Sequence, residues 1–188
     1  MALKVIGIAG PQGSGKTEVA KVLIRLGAPC VRMGDVVWDE VKRRGENITE
    51  ANVAKVASEL RKRDGLGAIA KRCIPLIKDQ GKDKRAIVVD GIRSSAEVNE
   101  FRRAFSDNFH FLAVQAGEPI RYSRITSRGR ADDAGTRERF KEKDQREASW
   151  GLDEVLALAD FTIANEGTIE ELRRKAVKFY EQMVGEKV

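Results

Sequence analysis

One histidine, His110, and two cysteines, Cys30 and Cys73, occur in 188 residues. A single imidazole excludes most histidine-based metal sites and catalytic triads. The cysteines lie far apart and match no zinc-binding spacing. They leave a Cys30–Cys73 disulfide open, although a reducing compartment disfavours one. No apolar run approaches the ~18 residues of a membrane span. Met1 to Gly10 carries one lysine and a short apolar run that enters a glycine loop, without the basic region and cleavage site of a signal peptide. Aromatics make up 6%, so stacking platforms for single-stranded nucleic acid are scarce. These shortages together lead us to expect a cytoplasmic protein without membrane contact.

What is present fits one ordinary domain. A chain of this length matches the ~100–200 residues typical of a single domain. Hydrophobic residues are 41% and recur throughout, so a core can be buried and disorder is not expected. Charged residues are 34%, above the usual ~25%, and the net charge is +6. An excess of positive charge favours anionic partners: phosphates, nucleotides or nucleic acid.

Strand and helix patterns alternate along the chain. Leu3 to Ala9 reads as a buried strand, and Lys16 to about Leu26 as a helix with Val19, Val22, Leu23 and Leu26 on one face. Cys30–Met33 reads as a strand, and Asp35–Arg44 as a helix. Thr49 to about Gln80 is helical, with a break at Asp64–Gly67 and a bend expected at Pro75. Arg85–Gly91 and Phe109–Gln115 read as strands, separated by a helix capped at Ser94 or Ser95. Pro119 opens a helix to about Arg128. Gly129–Gly151 is charged and mostly helical. Asp160–Ala164 reads as the last strand, and Thr168 with Glu171 forms a capping box on the last helix. The expectation is an α/β domain with a mainly parallel sheet and helices on both faces.

Gly10-Pro11-Gln12-Gly13-Ser14-Gly15-Lys16-Thr17 fits G-x-x-x-x-G-K-[ST] between a buried strand and a helix. Glycines there let backbone N–H groups converge on phosphate oxygens, and the helix points its positive end at the same anion. Lys16 is expected to reach the β- and γ-phosphates of ATP, and the Thr17 hydroxyl to bind Mg²⁺. Asp90, at the tip of the apolar run Ile87-Val88-Val89, is the second candidate for Mg²⁺. Its structural reading is a cap on the next turn, which the phosphate loop upstream disfavours.

These features make the chain resemble the P-loop nucleoside monophosphate kinase group: adenylate, cytidylate and dephospho-CoA kinases. It is closest to archaeal adenylate-kinase-related proteins. The resemblance extends to four further places. Met33-Gly34-Asp35 follows the second strand, where dephospho-CoA kinases place an Asp beside the acceptor hydroxyl. Asp90-Gly91-Ile92-Arg93 is similar to the Asp-Gly-(aromatic)-Pro-Arg of adenylate kinases, whose Arg grips the acceptor phosphate. Here it is one residue shorter and lacks the Pro. Arg124, Arg128 and Arg130, with Asp132 and Asp133, look like an arginine-bearing lid. Asn165-Glu166-Gly167-Thr168 is similar to the turn that cups the donor adenine.

The resemblance implies a five-stranded parallel P-loop fold over residues 1–188, with a helical acceptor-binding insertion at about 36–84 and a lid at about 124–150. It implies an ATP-dependent kinase acting on a nucleoside monophosphate or nucleotide-like acceptor, with Lys16, Asp35, Arg93, Arg124 and Arg128 as catalytic candidates. Hydroxyl phosphorylation of the dephospho-CoA kinase type, or a nucleic-acid-associated P-loop ATPase, are the alternatives. The Asn-Lys-x-Asp that reads guanine is absent.

Several of these residues also have a structural reading. Asp35 can be a helix N-cap. Arg124 and Arg128, four apart on one helix, can be a solvated face as well as an anion grip. Arg61, Lys62 and Arg63 can contact an acceptor phosphate or simply face water. Asn165 and Gly167 can be only a turn. Trp38 and Trp150 can stack on bases or pack helices, and His110 reads as structural. The positive charge is concentrated: residues 41–85 carry 13 basic and 6 acidic side chains, and residues 121–146 carry 9 and 5. This reads as two basic jaws facing a phosphate-rich cleft, and argues against general nucleic-acid affinity.

Overall fold

The computed structural model describes residues 2–128, 136–149 and 151–186, with the backbone alone at Arg128, Arg146, Glu147 and Ser149. Five strands, β1 (Lys4–Ala9), β2 (Cys30–Arg32), β3 (Ala86–Asp90), β4 (Phe109–Gln115) and β5 (Phe161–Ala164), form one parallel sheet. Its order is β2-β3-β1-β4-β5. Parallel strands buried on both faces favour near-continuous apolar runs, and β1 from Val5 to Ala9 and β3 from Ala86 to Val89 read so.

Alternate residues serve opposite layers. Val5, Ile87 and Val89 pack on one face with α2 (Met33–Arg43), α3 (Glu50–Asp64), α4 (Ala68–Gln80), α5 (Ser95–Phe105) and α8 (Leu152–Ala157). Ile6, Ile8, Ala86 and Val88 pack on the other with α1 (Lys16–Arg25) and α9 (Ile169–Val184). The remaining helices, α6 (Glu118–Arg128) and α7 (Arg137–Ser149), meet in a small cluster of their own: Ile125, Phe140 and Tyr122.

Helix starts follow the expected chemistry. Thr49 accepts from the Asn52 N–H at 3.1 Å, and Ser94 and Thr168 each form a capping box with Glu97 and Glu171. One detail differs from the sequence expectation: α2 begins at Met33, directly after β2, because Met33, Val37 and Val41 pack into the core and pull the first turn in with them. α4 is one helix with Pro75 inside it, and Cys73 and Ile77 are buried on either side of the exposed proline.

The helical insertion is laced by ion pairs. Glu40 on α2 accepts from Arg43 and Arg44, and Arg44 also bonds Glu59 on α3. Asp64, at the end of α3, binds Arg63 and Arg72 of α4. These guanidinium groups hold both carboxyls at about 2, well below the usual carboxylate range. The positive charge that composition assigned to a basic jaw is therefore largely engaged by carboxylates. Arg61, Lys71 and Lys82 pair similarly with Glu97, Glu100 and Asp79.

Candidate functional site

All five strands present their C-terminal ends to one edge of the sheet, where α/β proteins bind ligands. The phosphate loop leaves β1 there and enters α1 with Gly15 as its N-cap. Gly13 and Gly15 have φ of +74° and +103°, a region glycine enters without strain. Each also backs tightly on a neighbour. A Cβ on Gly13 would lie 2.8 Å from the Arg121 carbonyl oxygen, and one on Gly15 would lie 2.5 Å from Asn165 Nδ2. The Lys16 ammonium donates to the Pro11 carbonyl across the loop at 3.2 Å.

The loop floors a cleft of about 400 Å³. Lys16, Thr17, Glu18, Lys21, Arg93, Arg124 and Lys143 line it, so five cations from four separate parts of the chain converge there with one carboxylate, Glu18, which lies 3.9 Å from Lys21. Asp90 ends β3 one strand away, opposite Ile8 of β1. Burial pushes its carboxyl up from the ordinary value, while Lys16, the Gly91 N–H, Arg32 and Arg93 pull it back. A half-buried carboxylate offset by several cations is a strong electrostatic feature of a site.

The structure brings most candidates together. Arg93 reaches the cleft while its backbone N–H donates to the buried Glu97 carboxylate at 2.8 Å. Glu97 also pairs with Arg61 on α3 at 3.5 Å, so Arg61 braces the Arg93 loop. Arg124 lines the cleft and also donates to the Asn165 carbonyl and Oδ1 and to the Gly167 carbonyl, at 3.1–3.2 Å. Asn165 is buried, and its Nδ2 donates to the Ser14 carbonyl at 2.8 Å. One amide thus ties the β5–α9 turn to both the phosphate loop and α6.

Other candidates stand apart. Asp35 sits in the first turn of α2, where it takes a 3.0 Å hydrogen bond from Arg32 Nε. Trp38 is exposed one turn further on. Arg128 lies at the end of α6, and its side chain, with Arg130, Asp132, Asp133 and Trp150, lies outside the described residues. His110 stacks edge-on against Phe161, and burial lowers its pKa, in keeping with a structural role. Cys30 and Cys73 are free thiols, pushed up to about 11 and about 12 by burial and neighbouring carboxylates.

One constellation has no sequence signature. Gln12 belongs to the loop motif, but its side chain is buried and turns to α7, donating to the Phe140 carbonyl at 3.0 Å and to Asp144 Oδ1 at 3.2 Å. Arg121 on α6 is buried too. It donates to Asp144 through NH1 at 2.8 Å and through NH2, and to the Gln12 carbonyl at 3.1 Å. Three residues distant in sequence meet here, and no residue spacing announces them.

Mg²⁺ fits the donors present. Thr17 supplies a hydroxyl oxygen and Asp90 a carboxylate oxygen, the hard ligands Mg²⁺ prefers. Among the described residues no group of three or more His, Cys, Asp or Glu is arranged to hold a metal by itself.

The sheet order and phosphate loop define a P-loop kinase-like α/β protein. A family model described as "AAA domain" matches residues 6–148. A UPF0200/UPF0201 protein of Archaeoglobus fulgidus is 46% identical over 175 residues, 93% of this chain, which spans only about half (54%) of that relative's length. A UPF0200 protein of Methanosarcina barkeri is 40% identical over 94% of both chains. The chain belongs to the UPF0200 family and to the broader AAA domain family. Among solved structures, the fold is shared with a shikimate kinase from Acinetobacter baumannii in complex with shikimate (TM-score 0.54, 16% identity, 96% of this chain and 94% of that one). It is also shared with a gluconokinase from Sinorhizobium meliloti (TM-score 0.57, 14% identity, 97% and 94%). No helix among the described residues is long and apolar enough to cross a membrane.

Proposed function

We propose that the protein is an ATP-dependent phosphotransferase that moves the γ-phosphoryl group of ATP to a nucleoside monophosphate or nucleotide-like acceptor. The observation that carries this reading is the cleft, in which Lys16, Lys21, Arg93, Arg124 and Lys143 surround the phosphate loop beside Asp90. In the transfer, the bond from the γ-phosphorus to the β,γ-bridging oxygen breaks and a bond to the acceptor oxygen forms. Protein groups contribute position and charge. The loop N–H groups and Lys16 bind the β- and γ-phosphates. Arg93 faces the acceptor phosphate, and Arg124 with Asn165 orders the turn on which the adenine rests. Thr17 and Asp90 would hold Mg²⁺, which when bound offsets charge on the phosphate oxygens.

A hydroxyl acceptor is the second reading, supported by Asp35. Arg32 lies opposite Asp90 in the sheet register, and Asp35 follows it within one turn, so a carboxylate stands near the tip of β3. A phosphate acceptor is already anionic, whereas a hydroxyl must lose a proton and gains from a carboxylate base. Two solved structures that share this fold are named a shikimate kinase and a gluconokinase. The test incubates protein and ATP-Mg²⁺ with nucleoside monophosphates, dephospho-CoA and sugar alcohols, and follows diphosphate or phosphomonoester formation. ATP binding without transfer to any acceptor would refute the kinase reading. A fall in turnover for Asp35→Asn with unchanged acceptor affinity would select the hydroxyl acceptor.

A further inference from the structure

α7 is a polar helix whose one fully buried described side chain is Phe140. What fixes it is confined to one face. Phe140 packs on Ile125 and Tyr122, under the Arg121 guanidinium at 5.2 Å from the ring centre. One turn later Asp144 receives both Arg121 nitrogens and the Gln12 amide, and the Gln12 amide also caps the Phe140 carbonyl. Such a half-buried ion pair is a poor means of adding stability, because an apolar pair would hold two helices as well. It is a good means of fixing rotation and axial position, since the bonds are directional and made to the phosphate loop itself.

Lys143 lies between these two anchors on the same side of α7. It is half-buried and lines the phosphate cleft, whereas Lys141 is exposed on another side of the helix. Four other cations and one carboxylate, Glu18, line the same cleft, so an anion bound there would meet Lys143 together with the cations of the loop.

We propose that Lys143 is a catalytic residue that binds a non-bridging oxygen of the ATP β- or γ-phosphate, and that Asp144, through Arg121 and Gln12, is the positioning residue that sets it there. This rests on the phosphotransferase reading. It adds a cation from α7 to those of the loop, and explains why a buried polar latch joins α7 to the loop that cradles the phosphates.

The experiment measures equilibrium affinity for ATP, ADP and AMP, and turnover with ATP, for the full chain and for Lys143→Ala, Lys143→Arg, Asp144→Asn and Lys143→Ala/Asp144→Asn, with Lys141→Ala as control. Lys143→Ala is expected to weaken ATP binding about tenfold and leave AMP within about twofold, with Lys143→Arg intermediate. Asp144→Asn is expected to reproduce that pattern, with the double variant no worse than the poorer single one, since both act through one contact. Lys141→Ala is expected to stay within about twofold of wild type for every nucleotide. ATP affinity and turnover unchanged in Lys143→Ala, in a chain whose wild type binds ATP, would overturn the assignment alone. An Asp144→Asn loss that is equal for all three nucleotides and additive with Lys143→Ala would overturn the positioning role. A wild type that binds no nucleotide would overturn this proposal together with the phosphotransferase reading.

Discussion

At the scale of single residues, the site rests on a few side chains that have more than one duty. Lys16 bridges the loop to Pro11 and lines the cleft, so Lys16→Met is expected to cut ATP turnover by about 10²–10³-fold in a steady-state assay, the usual cost of losing one group that stabilises transition-state charge. Asn165 is the other such residue. Its truncation to Ala leaves the Ser14 carbonyl and part of Arg124 without partners in a buried setting. Asn165→Ala should therefore destabilise the chain by about 1–3 kcal/mol in urea unfolding and weaken ATP binding with it. Loss of ATP binding with no change in the unfolding midpoint would show that Asn165 contacts nucleotide without bracing the loop. Lys16 was legible in the sequence because a motif fixes its neighbours. The bracing role of Asn165 was not, because the turn alone does not say which carbonyl its amide will meet.

At the scale of elements, the helical insertion and the last helix respond to different stresses. The Glu40 and Asp64 carboxyls titrate at about 2 in the fold, against ordinary values of 4.5 and 3.8. A carboxyl whose pKa is lowered by folding contributes stability that is complete above its ordinary value and is lost as pH falls towards 2. Acid unfolding followed by helical circular dichroism should therefore steepen between about pH 4.5 and 2. The pair Glu40→Gln and Asp64→Asn should lessen that dependence while slightly lowering stability at pH 7. A wild-type profile as flat as the variant's would mean these pairs leave the insertion no firmer. Elsewhere, Thr168→Ala removes a capping box and should cost about 1 kcal/mol, readable as a lowered melting temperature. The caps at Thr49, Ser94 and Thr168 were readable in advance because they are local chemistry. The start of α2 at Met33 is not readable in this way, because it is set by the packing of Met33, Val37 and Val41 into the core.

At the scale of the whole molecule, two apolar layers clamp one parallel sheet. Phe101 is fully buried and stacks on Phe109 at 5.5 Å, so Phe101→Ala should cost about 3–5 kcal/mol in equilibrium unfolding. ATP-Mg²⁺ should raise the melting temperature of the wild type, as any ligand confined to the folded state does, and should not do so for Lys16→Met. Read along the chain, the sequence shows strands alternating with helices, a mainly parallel sheet and the phosphate loop, because periodicity, caps and a glycine motif are properties of neighbours. It also located the positive charge, but not its use: only the folded insertion shows those arginines engaged by Glu40, Glu59 and Asp64. Only the packing of the folded chain brings Gln12, Arg121 and Asp144 together and places Lys143 at the cleft. Such contacts depend on how α6 and α7 pack over the loop, and directional bonds between distant residues leave no period in the sequence to read.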